Sequence, residues 1–244
     1  VCVDVPAAYF LMEYGDKLFA GIPIVMCSIP ESLREPLLAS PLQERVSGVL
    51  EPAALAQRLV ESALRFKPDT AHAVLISGAF ENDRARSAAL REALAAVTPK
   101  VEFTDLTDLG LGDILERVEK LSPDSIIFYS TLFVDGKGHS YVPRNVLRSI
   151  AAHTDLPIFG PYESYMGDGI IGGPLVSLRL EGRKAGEMAL RILRGQPPGD
   201  SPFITPDDIS LSQYDWWQLQ RHTIAERLLP KDSTILFREA SLWD

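Results

Sequence analysis

The sequence predicts an α/β fold built on doubly wound, mainly parallel sheets, and three observations lead to it. Apolar segments of strand length alternate with segments of helix length along the chain, as a sheet with helical crossovers requires. Hydrophobic residues make up 46% of the chain and charged residues 23%, which is ordinary for a globular protein. At 244 residues, the chain has room for two lobes of roughly 100 to 150 residues each.

The first two thirds of the chain follow this alternation without a repeat or a low-complexity tract. One helix shows the pattern well, because Pro52 suits its first turn and Leu55, Leu59, Ala63 and Phe66 fall on one face. The predicted strands are 1–5, 22–28, 46–50, 73–77, 101–104 and 125–130. The predicted helices are 7–18, 52–66, 83–97, 114–121 and 143–153.

The segment 156–195 joins a strand, an aromatic and acidic turn, a glycine bend and a long helix. We predict a short strand at 157–159 and a second one at 170–171, which two glycines and a proline end. Ser177 is expected to cap a helix that stops at Gly195. A stripe of small residues marks the face of this helix that should pack closely on a sheet: Gly182, Ala185, Gly186 and Ala189.

Several pieces of this segment carry a resemblance to a known family. They are LPIFG at 156–160, GIIGG at 169–173, GRKAGEMALRILRG at 182–195 and PPGDSPF at 197–203. In order and spacing they resemble the last third of the type 1 periplasmic binding proteins, in the ABC-transporter substrate-binding-like branch that includes tryptophan-type importer components. The resemblance covers nearly the whole chain. The closing segment, 215–244, is most similar to the extracytoplasmic sensor domains of membrane histidine kinases.

The resemblance implies a two-lobed fold in which each lobe is a doubly wound, mainly parallel sheet flanked by helices, with a ligand cleft between the lobes. By that analogy one lobe holds 1–50 and 160–200 and lacks its first strand and helix, and the other holds 51–159. The tail, 201–244, would recross the hinge and lead towards the membrane. It is rich in aromatic residues, namely Tyr214, Trp216, Trp217 and Trp243. These residues either dock a chain end on the hinge side or transmit lobe closure to a following membrane helix.

The candidate ligand site lies where strands of both lobes end, because open α/β sheets bind ligands beyond the carboxyl ends of their strands. Hydroxyl and amide groups there would orient a small polar ligand, and aromatic rings would cover its apolar or planar part. The predicted ligand-binding residues are Ser28 in the first lobe and Ser77, Phe80, Asn82, Asp83, Ser130, Thr131, Phe133, Tyr162, Glu163 and Tyr165 at strand ends of the second.

Each of these residues also has a plain structural interpretation. Asn82 or Asp83 can cap a helix, although Asn82 falls where the importer branch has an asparagine that opens the same helix. Glu163 is either a solvated loop acid or a partner for a ligand amine. Tyr162 and Tyr165 either pack at the hinge or stack on the ligand. The serines can satisfy the backbone at strand ends.

Charge and hydropathy limit the kinds of binding partner that the sequence predicts. The net charge is −9 and no basic run occurs, whereas binding to nucleic acid or to an anionic membrane depends on clustered Lys and Arg. Neither is expected as the main partner. The longest apolar runs, such as 22–29 and 125–128, fall far short of the ~20 residues of a membrane-spanning helix. Cys2 and Cys27 form neither a disulfide framework nor a metal pair, and on parallel strands they should lie too far apart for a bridge.

No catalytic residue, metal site or cofactor is predicted. The four histidines show no metal-ligand spacing, and neither a GxSxG elbow nor a Walker-type phosphate loop occurs. The acidic stretch 105–113 lacks the alternating oxygen ligands of a calcium loop. We therefore expect no enzymatic activity in this chain, with a degenerate α/β enzyme as a third alternative.

The leading interpretation is the ligand-sensing extracytoplasmic domain of a membrane signalling protein, a two-component sensor histidine kinase. It would bind a small organic molecule between its lobes and signal by lobe closure. The membrane helix and the kinase module would belong to the same parent chain, which would anchor this periplasmic or extracytoplasmic domain to the inner membrane. The alternative is a periplasmic solute-binding component that delivers an amino acid or similar ligand to an ABC permease. Homodimerisation is left open.

Overall fold

The computed structural model describes residues 1–52, 54–97, 100–200 and 203–238. Its strands within those residues are β1 Cys2–Val3, β2 Ile24–Pro30, β3 Val46–Glu51, β4 His72–Ile76, β5 Glu102–Asp105, β6 Ser125–Tyr129, β7 Ile158–Phe159, β8 Gly172–Val176, β9 Phe203–Ile204, β10 Ser210–Asp215 and β11 Thr234–Leu236. Its α-helices are α1 Val5–Leu18, α2 Arg34–Leu38, α3 Ala54–Phe66, α4 Glu81–Ala95, α5 Leu111–Glu119, α6 Pro143–Ala152, α7 Leu178–Leu193 and α8 Trp216–Arg221.

The chain divides into two compact units. The described residues of Val1–Ala53 and Val176–Ile209 form the first unit, and those of Ala54–Leu175 and Ser210–Asp244 form the second. The predicted boundary at 50 lies three residues from the division after Ala53. Residues 160–175 and the described tail beyond 209, which the sequence placed elsewhere, cluster with the second unit.

The first unit is built on a four-stranded sheet in the order β1, β2, β3, β9, with every adjacent pair parallel. Helix α7 covers one face of this sheet, where Ala185 and Met188 pack against Val25, Cys27 and Val49. Burial of these side chains removes apolar surface from water at a gain of about 25 cal/mol per Å². This packing therefore joins the last helix of the unit to its first strands.

The small-residue stripe is confirmed for its alanines and not for its glycines. Ala185 is buried against the sheet and Ala189 packs beside it, whereas a Cβ at Gly182 or Gly186 would point into open space. Glu181 and Met188 complete the buried face, and a carboxylate oxygen of Glu181 accepts a hydrogen bond from the backbone N–H of Ser28 at 2.6 Å. The expected cap did form, with the Ser177 hydroxyl accepting from the Leu180 N–H.

The second unit contains a four-stranded parallel sheet in the order β5, β4, β6, β7. Strands β4 and β6 are paired along their full length, from His72 opposite Ser125 to Ile76 opposite Tyr129. Their carboxyl ends therefore stop at the same level, and the residues that follow each strand leave the sheet side by side.

The core of the second unit is aromatic, and α3 closes it with the face predicted from its sequence. The buried residues of α3 include Leu55, Leu59, Ala63 and Phe66. The Phe66 ring stacks on Phe159 at 6.4 Å between centroids. Leu59, Ala63 and Phe66 share one apolar cluster with strands of the sheet.

A second sheet of this unit has the order β11, β10, β8, with β10 and β11 parallel. The sequence predicted that Gly172, Gly173 and Pro174 end a strand, but β8 runs through all three. A Cβ at Gly172, where φ is 110°, would collide with the carbonyl oxygen of Gln213. The glycine ends no strand here but lets two backbones approach closely.

The tail joins the core of the second unit as far as it is described. Tyr214 is fully buried, with its ring edge-on to Phe66 at 5.7 Å. Trp216 and Trp217 form a T-shaped pair at 4.8 Å, and Trp217 is exposed. Trp243 lies outside the described residues.

The two cysteines are free and closer than predicted. Strands β1 and β2 place Cys2 opposite Met26, one position from Cys27, and the Cys27 thiol lies 3.8 Å from the Cys2 carbonyl oxygen. Because neighbouring residues of a strand point to opposite faces, the two thiols lie on different sides of the sheet. Alternation along the strand, and not distance, keeps them apart. Within the described residues, no helix combines the length and the apolar character that crossing a bilayer needs.

Candidate ligand-binding site

The candidate site is the carboxyl edge of the sheet β5, β4, β6, β7 in the second unit. Ser77 follows β4, Ser130 and Thr131 follow β6, and Tyr162 lies shortly after β7. The level ends of β4 and β6 bring the first three residues to the same edge. This is the position at which open α/β sheets bind ligands.

Asp83 organises part of this edge. Its carboxylate is fully buried and accepts hydrogen bonds from the Thr131 hydroxyl at 2.8 Å and from the backbone N–H groups of Phe133 and Val134 at 3.2 Å. Burial raises the pKa of Asp83, and these hydrogen bonds only partly offset it. The carboxylate therefore holds the loop after β6 against helix α4.

Ser77 completes this arrangement, which we call the Asp83 cluster: Ser77, Asp83, Thr131 and the N–H groups of Phe133 and Val134. The Ser77 hydroxyl donates to the Thr131 carbonyl oxygen at 3.2 Å. A Cβ at the next residue, Gly78, would collide with the Asp83 carboxylate. Ser77, Asp83 and Thr131 thus bind protein groups, and their predicted contacts with a ligand stay predictions.

The interpretation of Asn82 or Asp83 as a helix cap was wrong. Phe80 occupies the N-cap position of α4 without a side-chain hydrogen bond, and the helix begins at Glu81. Asp83 lies inside the first turn and serves the neighbouring loop, because the Thr131 hydroxyl and two backbone N–H groups reach it there. A cap assignment from sequence misses such a role, since its donors are about fifty positions away.

Asn82 and Ser130 differ from the cluster in one respect. Asn82 is 8% exposed and Ser130 is fully buried, yet neither the Asn82 Oδ1 nor the Ser130 Oγ has a hydrogen-bond partner among the described residues. A buried polar atom without a partner costs about 1–3 kcal/mol and is uncommon in folded proteins. We call these two side chains the orphan pair.

Tyrosines line the edge next to the orphan pair. The Tyr165 hydroxyl donates to the Ser130 carbonyl oxygen at 2.8 Å. Its ring lies edge-on to Tyr162 at 5.6 Å and tilted against Tyr129 at 5.4 Å. Burial raises the pKa of Tyr165 well above its usual range, so the hydroxyl stays protonated. The aromatic wall is rigid because each ring is held by another ring or by a hydrogen bond.

Arg86 belongs to this wall and was not predicted from the sequence. Its guanidinium donates to the Tyr162 hydroxyl at 3.0 Å and lies 5.7 Å from the centre of that ring. The spacing offered a signal, since Arg86 follows Asn82 by one helical turn and so shares its face of α4. The guanidinium places a positive charge beside the predicted site.

The remaining predicted residues of the second unit are more exposed. Glu163 opens a 3₁₀ turn, Glu163–Tyr165, and is partly buried. Phe80 is 59% exposed, and Phe133 is partly buried. Their contacts with a ligand stay predictions.

Ser28 lies in the first unit, in β2, and is described there by itself. It is buried and adopts φ 57°, a left-handed conformation that is strained for serine. Its N–H donates to the buried Glu181, which explains how the fold holds this conformation. Among the described residues of both units, no group of three or more His, Cys, Asp or Glu side chains is arranged to hold a metal ion.

The comparison with known proteins bears on the fold. No family model and no curated protein sequence matches the chain. Among solved structures, a conserved domain protein from Vibrio cholerae matches with a TM-score of 0.70 and 17% identity over 96% of this chain and 76% of that one. An ABC domain in complex with L-Trp from Streptococcus pneumoniae matches with a TM-score of 0.69 and 16% identity, covering 96% of this chain and 78% of that one.

A third solved structure, together with the first two, identifies the fold of the chain. It is the ligand-free, open form of a substrate-binding protein with adhesive properties from Clostridium difficile, at a TM-score of 0.67 and 16% identity, with 96% of this chain and 76% of that one covered. The chain has the two-lobed type 1 periplasmic binding protein fold. The predicted fold class is thereby confirmed. Within this periplasmic binding protein fold, the second unit presents the orphan pair and its tyrosine wall at the carboxyl edge of a parallel sheet.

Proposed function

We propose that this chain binds a small polar molecule with an apolar or planar part at the carboxyl edge of the second unit. The observation that carries the proposal is the orphan pair, two buried polar atoms without partners at the edge where such sheets bind ligands. A ligand that donates to the Asn82 Oδ1 and exchanges a hydrogen bond with the Ser130 Oγ would remove the cost of both.

The chemistry of the edge narrows the ligand. The Asn82 Oδ1 can only accept a hydrogen bond, so the ligand must present an N–H or O–H group to it. Tyr162 and Tyr165 offer rings for an apolar or planar part. An aromatic or branched amino acid, a purine-like base and another small organic acid are the candidate classes. The solved structure from S. pneumoniae, which contains L-Trp, supports the first of these.

We propose further that ligand binding draws the two units together and that this closure is the output. A ligand that contacts both units favours the closed form only by its differential affinity for the two forms. A difference of about 5.5 kcal/mol would move the populations from 1:99 to 99:1. In this proposal Ser28 supplies the contact from the first unit.

The output we favour is signalling by an extracytoplasmic sensor domain, with a membrane helix and a histidine kinase in the same parent chain. The similarity of segment 215–244 to such sensors supports this choice. The alternative is a solute-binding component of an ABC importer, supported by the substrate-binding protein from C. difficile. Flanking sequence separates the two, because a membrane helix after Asp244 indicates the sensor and a lipoprotein signal before Val1 indicates the importer component. Both place the chain outside the cytoplasm.

We also propose that the bound molecule leaves unchanged, without catalysis. Incubation of the protein with its ligand, followed by mass spectrometry of the small-molecule fraction, checks this. Turnover that one substitution among Asp83 and Glu163 abolishes would favour the degenerate-enzyme alternative.

The experiment that tests the binding proposal begins with native mass spectrometry of protein purified without refolding, which identifies a co-purifying molecule. A thermal-shift panel of L-tryptophan, L-leucine, adenine and succinate covers the candidate classes, and calorimetry gives the affinity of the best binder. Asn82→Ala is expected to weaken that affinity by about 1–3 kcal/mol. Asn145→Ala, an exposed asparagine on α6 of the same unit, is the matched control. Equal affinity in both variants would remove the orphan pair from the site.

A further inference from the structure

A second cavity of about 510 Å³ lies in the second unit between α3, β10 and the turn before β11. It is separate from the carboxyl edge of the four-stranded sheet, since it shares none of the residues predicted to bind a ligand. Arginines and hydroxyl groups dominate its polar lining. The polar side chains that line it are Arg58, Glu61, Ser62, Arg65, Ser210, Ser212, Tyr214 and Asp232.

Two arginines of α3 form one wall of the cavity. Arg58 and Arg65 are seven positions apart, which places them two turns apart on the same helix face. Ser62 lies between them, and Arg65 reaches its hydroxyl at 3.4 Å. Within the part of the chain that the structure describes, neither guanidinium forms an ion pair with a carboxylate. Both arginines are exposed and line one cavity, and the Arg65 guanidinium lies 5.5 Å from the centre of the Phe66 ring.

A buried hydroxyl in the same wall points to a ligand independently. Tyr214 is fully buried, and its phenol oxygen makes no hydrogen bond of good geometry among the described residues, although the hydroxyls of Ser62 and Ser212 lie close enough to lower its pKa. The ring cannot easily turn to find one, because it packs edge-on against Phe66 at 5.7 Å. A buried donor of this kind is expected to meet a partner in the functional form of the protein.

The two acids of the lining limit the size and charge of the ligand. Glu61 already accepts a hydrogen bond from the Gln57 amide at 2.8 Å, on the exposed side of α3. Asp232 is exposed, in the turn before β11. The donors of Arg58 and Arg65 are therefore available to a compact anion, whereas the two acids would repel a large polyanion.

We propose that this cavity binds a small oxyanion, a carboxylate or phosphate group, held by Arg58 and Arg65 with the Tyr214 hydroxyl as a further donor. Planar guanidinium groups match the geometry of carboxylate and phosphate oxygens. The bound anion would tie α3 to β10 and to the turn that leads into β11. The proposal does not rest on the ligand site at the carboxyl edge.

The test uses the full chain and two probes, succinate and inorganic phosphate, each titrated by calorimetry at constant ionic strength. At least one probe is expected to bind. Arg65→Gln should weaken that binding about ten-fold, because it removes a charged donor but keeps an uncharged polar side chain. Tyr214→Phe keeps the ring that packs on Phe66 and should weaken binding several-fold, with the melting temperature of the anion-free protein unchanged.

Arg117→Gln, an exposed arginine on α5 of the same unit, is the matched control and should leave the affinity unchanged. Binding that Arg65→Gln and Tyr214→Phe weaken while Arg117→Gln does not supports the site, and the better of the two probes indicates the class of oxyanion. Absence of binding by both probes overturns the proposal. So does binding that falls equally in all three variants, which would be general charge attraction.

Discussion

The Asp83 cluster and the orphan pair lie at the same sheet edge, one position apart in the sequence, and differ in their hydrogen bonding. Asp83 and Thr131 satisfy each other at 2.8 Å, whereas their neighbours Asn82 and Ser130 have a buried polar atom each without a partner. Successive residues at a strand end point in opposite directions, and successive residues of a helix are turned by about 100°. One side of each segment therefore joins the protein, and the other carries the polar atom that the proposed ligand would meet.

The difference separates two kinds of polar residue at strand ends, one that binds protein groups and one that does not, which the sequence alone does not distinguish. The Asp83 cluster is part of the structure and should respond to substitution through stability. The orphan pair should respond through binding, because no hydrogen bond within the described part of the chain depends on the two unpartnered atoms.

The largest effect is expected for Asp83→Ala. The substitution leaves the Thr131 hydroxyl and the N–H groups of Phe133 and Val134 without their acceptor, so the free energy of unfolding should fall by about 3 kcal/mol. Urea denaturation measures it. Asp69→Ala, an exposed aspartate in a loop of the same unit, is the control and should stay near wild type. A similar small loss in both variants would mean that the cluster does not hold the edge.

Tyr162→Phe tests the tyrosine wall beside the orphan pair. It removes the hydroxyl that accepts from Arg86 at 3.0 Å but keeps the ring. Hydrogen bonds to charged groups contribute about 1.5–3 kcal/mol, and this partly buried one is expected at the low end in urea denaturation. Ligand affinity should change less than in Tyr162→Ala, which also removes the ring. Equal losses of affinity in the two variants would assign recognition to the hydroxyl and not to the aromatic surface.

The opposite end of the same unit offers a comparison in pH. Burial, together with the charges of Arg221 and Lys67, lowers the pKa of His222 to about 4, below the usual value for an unfolded chain. Between those two values the unfolded state binds more protons, so stability is lost as the pH falls. The His222 ring is partly exposed and screened, which limits the loss to about 1 kcal/mol between pH 7 and pH 5.

Urea denaturation at both pH values, with His222→Gln as the reference, measures that loss. The variant should lose less stability than wild type over this range. Asp83 acts with the opposite sign, because burial raises its pKa and the folded state then binds the proton more readily. If wild type and His222→Gln followed one curve, the histidine would carry no pH dependence.

The smallest effect on stability is expected for Ser130→Ala. Its Oγ has no partner to lose, so the free energy of unfolding should change by about 0.5 kcal/mol or less, and removal of a buried unpaired group can even stabilise. Ligand affinity should nevertheless fall. Ser164→Ala, an exposed serine in the neighbouring turn, should change neither quantity. A clear loss of stability in Ser130→Ala alone would place Ser130 in the structural cluster.

Several predictions from local signals are confirmed. The apolar face of α3, the Ser177 cap and the strands β4 and β6 follow from periodicity and from turn residues within a few positions. The two-lobed fold class came from the order of motifs in 156–203 and is confirmed by solved structures. These features depend on residues that are neighbours in the chain.

The failures share one physical cause, a contact between residues that are distant in the chain. On α7 the sheet-facing side includes Glu181, which accepts from the distant Ser28 N–H, and Gly182 and Gly186 of the predicted stripe meet nothing. Asp83 does not cap α4, because its carboxylate accepts hydrogen bonds from three donors beyond β6. Gly172 allows the backbone of β10 to approach closely. A prediction made from a short segment of sequence cannot identify such pairings, because the partners are far apart in the chain.

The sequence by itself determined the alternation of strands and helices, the fold class and the residues that reach the ends of the strands. The alternation and the strand ends rest on the period of a hydrophobic pattern or on the conformational limits of Gly, Pro and Ser, and the two-lobed fold class rests on the resemblance carried by the motifs in 156–203. Only the tertiary structure decided which of those residues form hydrogen bonds with other protein groups and which keep a buried polar atom without a partner among the described residues. That division depends on which donors and acceptors the folded sheet brings together, because a buried polar atom is satisfied by the group opposite it in space.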